Sequence, residues 1–164
     1  MEKILVSACL MGQRVRYDGG AHGPFDQLGL WQAEGRLVAV CPEVAGGLPT
    51  PRPPAEIPGG QGAQVLDAQA LVLTEAGEDV SAAFLAGAHL ALAVVQRQGI
   101  RLAVLKSRSP SCGNRETYDG SFSGQKVAGE GVTAALLRRA GVQVFNENEL
   151  AAALEALQAL ESRR

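Results

Sequence analysis

Short apolar runs rich in β-branched residues alternate with helix-forming segments along the whole chain, and this alternation limits the architecture more than any other feature. The runs at residues 3–8, 37–40 and 102–105 are four to six residues long and continuously apolar at their centres, and a fourth strand is expected at 142–145, where Gln143 interrupts the apolar residues. Such runs predict strands buried on both faces. Between them lie segments with helical start and stop signals. Residues 25–34 are framed by Pro24 and Gly35, and a long helix runs from an N-cap at Asp79 to Gln98, stopped by Gly99. Its predicted buried face is Leu85, Ala88, Leu92 and Val95. A helix at 132–140 ends at Gly141. A capping pair, Asn146 with Glu149, opens a final helix buried through Leu150, Leu154 and Leu157. Strands alternating with helices predict an α/β chain: a three-layer, Rossmann-like fold on a mostly parallel sheet. Ligands in such folds bind outside the carboxyl ends of the strands.

The stretches between these elements are less regular. Four prolines fall within six residues at 49–54, which excludes a helix or a central strand there. Residues 58–63 read as a turn, 65–73 as one or two minor strands, and 107–131 as a long glycine- and serine-rich loop. Arg16-Tyr17-Asp18-Gly19 is echoed by Thr117-Tyr118-Asp119-Gly120. Both read as Asp-Gly turns.

With 164 residues, 46 % of them apolar, the chain fits one domain over 1–164 with a single core. The N-terminus carries too short an apolar run for a signal peptide, and no stretch is long enough to span a bilayer. A cytoplasmic protein is expected. A net charge of −2 argues against bulk binding to nucleic acid or to an anionic membrane. Only three of the fifteen basic residues are lysines, Lys3, Lys106 and Lys126. Arginine suits forked contacts to small anionic or polar ligands.

The three cysteines carry the chemistry. Cys9 follows the first predicted strand, Cys41 ends the second, and Cys112 lies in the loop after the third. All three thus fall at strand carboxyl ends. Their gaps, 31 and 70 residues, match neither a zinc finger nor a ferredoxin run nor a Cys-x-x-Cys pair. An odd count fits a reducing compartment. The residues alone leave three readings open. They are small buried hydrophobes, zinc ligands with His22 or His89 as nitrogen donors, or the ligands of an iron–sulfur cluster with one iron left open.

Four ordered motifs narrow the choice. They are Val6-Ser7-Ala8-Cys9-Leu10, Arg16-Tyr17-Asp18-Gly19-Gly20, Cys41-Pro42-Glu43-Val44 running into Gly46-Gly47-Leu48-Pro49-Thr50-Pro51-Arg52, and Arg108-Ser109-Pro110-Ser111-Cys112-Gly113 followed by Tyr118-Asp119-Gly120-Ser121-Phe122-Ser123-Gly124. Together they resemble the short bacterial family known as domain of unknown function 523, which also forms the catalytic part of thiouracil desulfidases. The resemblance runs from Lys3 to Leu150. It implies a [4Fe-4S] cluster on Cys9, Cys41 and Cys112, whose unique iron takes the sulfur of a thiocarbonyl substrate, with sulfide lost and no net redox change. Glu43 matches the family's proton carrier, and Ser109 is the serine expected to position substrate or water. Some relatives carry a second domain that this chain lacks.

The residue types agree with that chemistry. Thione sulfur prefers a soft metal, and adding water at carbon needs a carboxyl group to move protons. Ser7, Ser111, Arg52 and Arg108 are the expected substrate contacts, the arginines as clamps for an anionic or carbonyl group. The glycine pairs lack a GxGxxG or Walker pattern, so no dinucleotide or ATP fold is indicated. The expected partner is a small thiolated molecule such as 2-thiouracil. The competing reading is a sulfide-carrying or ligand-binding module without turnover.

Overall fold

The computed structural model describes residues 1–20, 23 and 25–163. Its centre is a four-stranded parallel sheet of β1 (Ile4–Ser7), β2 (Leu37–Val40), β5 (Leu102–Leu105) and β8 (Gln143–Asn146), in the spatial order β2-β1-β5-β8. β1 and β5 are buried at every position, as continuous apolar runs require.

The period-two alternation of strands divides the core into two layers. Ile4, Val6, Leu102 and Val104 pack with α1 (Asp26–Ala33) and α6 (Leu150–Ser162), through Leu28, Trp31, Ala153 and Leu157. Leu5, Ala103 and Leu105 face the other way, onto α4 (Ser81–Gln98) and α5 (Val132–Arg139), through Ala91, Val95, Ala134 and Leu137. The result is the expected three-layer α/β fold. From β1 the chain steps outward to β2, then crosses back to β5 on the other side. The carboxyl ends of β1 and β5 therefore flank a topological switch point.

Several local expectations change. Residues 65–66 are helical rather than extended, within α3 (Gly62–Leu66). Gln64 accepts the Gln61 N–H at 2.8 Å in a capping box, a local signal that outweighs the β-branched Val65. The only named strand in that stretch is β4 (Leu73–Thr74), which pairs with β3 (Ala55–Glu56). The loop at 107–131 contains an antiparallel hairpin, β6 (Glu116–Tyr118) and β7 (Lys126–Ala128). β7 is exposed throughout, so no alternation marks it. In α4 the buried stripe runs through Phe84, Gly87, Ala88, Ala91 and Val95, and Leu85 and Leu92 are only half-buried. The N-cap position of α4 is Val80, with Asp79 accepting the Ser81 N–H at 2.9 Å from one residue earlier. Gly99 closes this helix in the left-handed conformation, as expected. Pro24 lies outside the described residues.

One unpredicted element shapes the site. α2 (Pro42–Ala45) follows β2 directly, with Pro42 in its first turn. It crosses α4 where both chains carry glycine: a Cβ on Gly46 would collide with the Ala83 carbonyl, and one on Gly87 with that of Pro42. This close approach fixes the direction in which Cys41 and Glu43 leave the sheet. No helix among the described residues is long and apolar enough to cross a membrane.

Candidate metal centre

The loops leaving β1, β2 and β5 enclose a cavity of about 570 Å³, and Cys9, Cys41 and Cys112 all line it. Each thiol is placed by a different local device. Cys9 sits in a single 3-10 turn (Ala8–Met11) immediately after β1. Cys41 is the N-cap residue of α2. The Cys112 turn is closed by Ser109, whose Oγ accepts N–H groups from Ser111 and Cys112, both at 3.0 Å. All three cysteines are free thiols.

The surroundings of Cys9 and Cys112 differ from those of a redox or nucleophilic thiol, which needs an electropositive setting that lowers the pKa. Burial pushes the Cys9 thiol up to about 11, and Cys41 adds to the effect while Lys106 and Arg16 oppose it. Burial also pushes the Cys112 thiol up, against a hydrogen bond from Ser7. Ser7 Oγ accepts the Lys106 N–H at 2.9 Å, so its own proton is available to the Cys112 sulfur. Thiols in such a site ionise when a bound metal supplies the positive charge. The set of soft donors fits an iron–sulfur cluster or another thiophilic metal.

Among the described residues, no three His, Cys, Asp or Glu side chains are gathered tightly enough to hold one ion. Sulfur ligands of a single zinc lie about 2.3 Å from it and must crowd together. A four-iron cluster offers each thiolate its own iron and needs wider spacing. The nitrogen donors weighed for zinc do not help: His89 is exposed on α4, and His22 lies outside the described residues.

Two largely buried ion pairs border the cavity. Arg52, 4 % exposed at its side chain, donates from Nε to Glu43 Oε1 at 3.0 Å. Its other donors reach Pro49 O, Thr50 Oγ1 and Val15 O, at 3.1, 3.2 and 3.0 Å. Val15 O also accepts from the Cys41 thiol at 3.7 Å. The guanidinium thus clasps the proline-rich segment, Glu43 and the loop after β1 together. In the second pair, Lys106 Nζ lies 2.9 Å from Glu147 Oε2. Ser107 donates to the same carboxylate from N at 2.8 Å and from Oγ at 2.9 Å. Burial raises the Glu147 pKa, but the hydrogen bonds from Lys106 and Ser107 outweigh it and the net direction is down.

The structure therefore brings Ser7, Cys9, Cys41, Glu43, Arg52, Arg108, Ser109 and Cys112 to one cavity, though not all of them expose free donors to it. Arg108, held at φ 66°, sits at the rim and bonds Glu116 at 3.1 Å. Ser111 is apart from the rest: it is fully buried, and its hydroxyl pairs with Thr133 Oγ1 at 2.8 Å. Sequence reasoning missed the Lys106–Glu147 pair. Glu147 follows β8 at the same sheet end as the cysteines, which is the signal that could have found it.

Comparison with known proteins bears on the family and the fold. The model of the 2-thiouracil desulfurase family matches residues 4–149. A protein of Bacillus subtilis (strain 168), "Uncharacterized protein YbbK", is 46 % identical over 147 residues, covering 90 % of this chain and 97 % of that one. The solved structure of the "[4Fe-4S]-dependent thiouracil desulfidase TudS (DUF523Vcz)" superposes with a TM-score of 0.89 at 54 % identity, covering 97 % of this chain and 99 % of the other.

Proposed function

The chain belongs to the 2-thiouracil desulfurase family, and from that premise we propose that it is a [4Fe-4S]-dependent desulfidase that removes sulfur from a small thiolated ring such as 2-thiouracil. One observation carries the reading: three free thiols from three separate strand ends, Cys9 and Cys112 buried and Cys41 partly so, line one cavity. Cys9, Cys41 and Cys112 are the residues that would hold the cluster. When bound, it supplies a soft Lewis-acidic iron, without a protein thiolate, for the thione sulfur.

The overall change is hydrolytic. Water supplies the oxygen that replaces sulfur on carbon, sulfur leaves as hydrogen sulfide, and no electrons are gained or lost. Protons must move from water to sulfur, and Glu43 is the group placed to move them. Arg52 Nε occupies Glu43 Oε1 and fixes the rotamer, which leaves Oε2 for the proton. Ser109 Oγ already accepts two backbone N–H groups, so its hydroxyl proton points its hydrogen-bonding capacity outward, to substrate or water. Ser7 serves the Cys112 sulfur in this scheme. Arg52 acts through Glu43, as a positioning residue.

The test is anaerobic reconstitution with iron and sulfide, followed by assay of sulfide and uracil released from 2-thiouracil. Equal amounts of both products support the reading. A protein that holds the cluster yet releases neither product is a sulfide carrier.

A further inference from the structure

Aromatic residues are scarce in this chain: one Trp, two Tyr and four Phe among 164 residues. Four of the seven belong to the hydrophobic layers, namely Trp31 and Phe84 in the core with Phe25 and Phe145 packed against it. The remaining three, Tyr17, Tyr118 and Phe122, all line the thiol cavity. A fold that spends few aromatic rings on its core and gathers the rest around one cavity is equipped to meet a flat ligand there.

The placement of these rings is built. The two Tyr-Asp-Gly sequences form matching turns, with Asp18 Oδ1 accepting the Gly20 N–H at 2.8 Å and Asp119 Oδ1 accepting the Ser121 N–H at 2.9 Å. Each turn delivers its tyrosine to the cavity from a different side of the fold. Phe122 lies at the tip of the β6–β7 hairpin, and it is the only residue from 121 to 128 that is not exposed. Its backbone sits at φ 56°, a conformation that is strained for a bulky residue and needs support from elsewhere. Glu56 provides the support: its Oε1 accepts the Gly120 N–H at 2.9 Å and the Phe122 N–H at 3.3 Å. Gly120 in turn packs on Pro58 so closely that a Cβ would overlap it. The ring of a residue with a strained, tethered backbone thus lines the thiol cavity rather than the core.

We propose that Phe122, held in place by Glu56 and flanked by Tyr17 and Tyr118, takes the π face of the substrate ring and makes the enzyme selective for flat heteroaromatic thiones over aliphatic thioamides. The proposal rests on the desulfidase reading and adds the residue that sets its substrate class. Stacking on an aromatic side chain is indifferent to the pattern of ring nitrogens, so the selectivity is for flatness rather than for one base.

The experiment compares the reconstituted wild-type protein with Phe122→Ala, Phe122→Trp, Glu56→Ala and Glu56→Gln. Each is given 2-thiouracil and thioacetamide, and 2-thiouracil binding is also measured by equilibrium dialysis. Phe122→Ala should raise KM for 2-thiouracil about tenfold or more and weaken its binding in parallel. Its KM for thioacetamide should change less than twofold, and its iron content should match wild type. Phe122→Trp should recover most of the loss. Glu56→Ala should reproduce a smaller part of it, Glu56→Gln should restore the amide acceptor, and the Phe122→Ala/Glu56→Ala double variant should be no worse than Phe122→Ala alone. Equal losses on both substrates, or lost iron, would make Phe122 a structural residue and overturn the proposal. So would a Phe122→Ala variant with unchanged 2-thiouracil binding. If wild type holds the cluster but releases no sulfide, the desulfidase reading fails, and the dialysis comparison alone decides whether the ring site stands.

Discussion

The two ends of the parallel sheet are both hollow and both charged, yet only one has the makings of a site. At the amino end, Arg36 and Glu161 form an ion pair, Arg101 reaches Glu2 at 2.9 Å, and the Glu2 N–H donates to Glu161 at 3.1 Å. Beside them a groove of about 720 Å³ runs between α1 and α6, lined by Leu30, Trp31, Leu154 and Leu157. It is of comparable size to the carboxyl-end cavity and no thiol lines it. Its charges neutralise one another and tie together the starts of β1, β2 and β5. At the carboxyl end the ion pairs do something else: they brace side chains that border three thiols free of any disulfide. A hollow and a set of charges do not by themselves mark the functional end of this fold. The donor set does.

The largest effect that would sharpen this contrast comes from the cysteines. Replacing Cys9, Cys41 or Cys112 by alanine should each abolish cluster retention, because three thiolates are already one fewer than the usual four. Iron and acid-labile sulfide measured after anaerobic reconstitution should fall to background. Near wild-type iron in Cys41→Ala would remove that residue from the ligand set.

Next in size is Glu43→Gln. The amide keeps an acceptor for Arg52 Nε but cannot cycle a proton. Iron content should stay normal while the rate of sulfide release falls about 10² or more, the scale of general acid–base catalysis. A wild-type rate would shift the proton-carrying role to a water held by Ser109.

The third effect is on stability. Glu147→Ala leaves Lys106 and the Ser107 amide without their carboxylate, at a half-buried site. The expected cost is about 2–4 kcal/mol, a fall in Tm of roughly 5–10 °C for a chain of this size. The folded-state pKa of Glu147 is depressed below its ordinary 4.5. Its contribution is therefore present above pH 4.5 and is lost as the pH falls through the folded value. Thermal melts of the cluster-free protein at pH 7 and pH 3.5 should show the gap between variant and wild type narrowing in acid.

Much of this was readable in the chain because the strongest signals are local. Three continuous apolar runs, a fourth interrupted by Gln143, and the stop signals at Gly35, Gly99 and Gly141 located the sheet and its helices, and the position of each cysteine after a run placed it at a carboxyl end. What escaped notice depends on long-range contacts. The buried stripe of α4 rotates toward Gly87 and Ala91 because α2 crosses there through Gly46, a contact between segments forty residues apart. Arg52 reads as a ligand clamp until its donors are followed to Glu43, Pro49, Thr50 and Val15. Ser111 lies two residues from Ser109 in one motif, yet it points into the core to meet Thr133 of α5. The hairpin carrying Phe122 has no hydrophobic alternation, because its inner side faces a cavity rather than a core.

The smallest effect tests the amino end. Arg36 beside Glu161 holds that carboxyl below its ordinary 4.5. Its stabilising contribution is accordingly present above that pH and fades as the pH falls through the folded value. The Glu161 side chain is 30 % exposed, so solvent and salt screen the pair. Glu161→Gln should lower Tm at pH 7 by no more than about 1–2 °C, less in 1 M salt, and the gap should narrow as the pH falls below 4.5. Iron retention and sulfide release should both match wild type, since the pair lies at the opposite end of the sheet from the thiols. A Glu161→Gln variant as unstable as Glu147→Ala would mean that the amino-end pair is anchored far more deeply than its exposure implies. One that lost iron would mean that the two ends are coupled through the strands, and the division of labour between them would not hold.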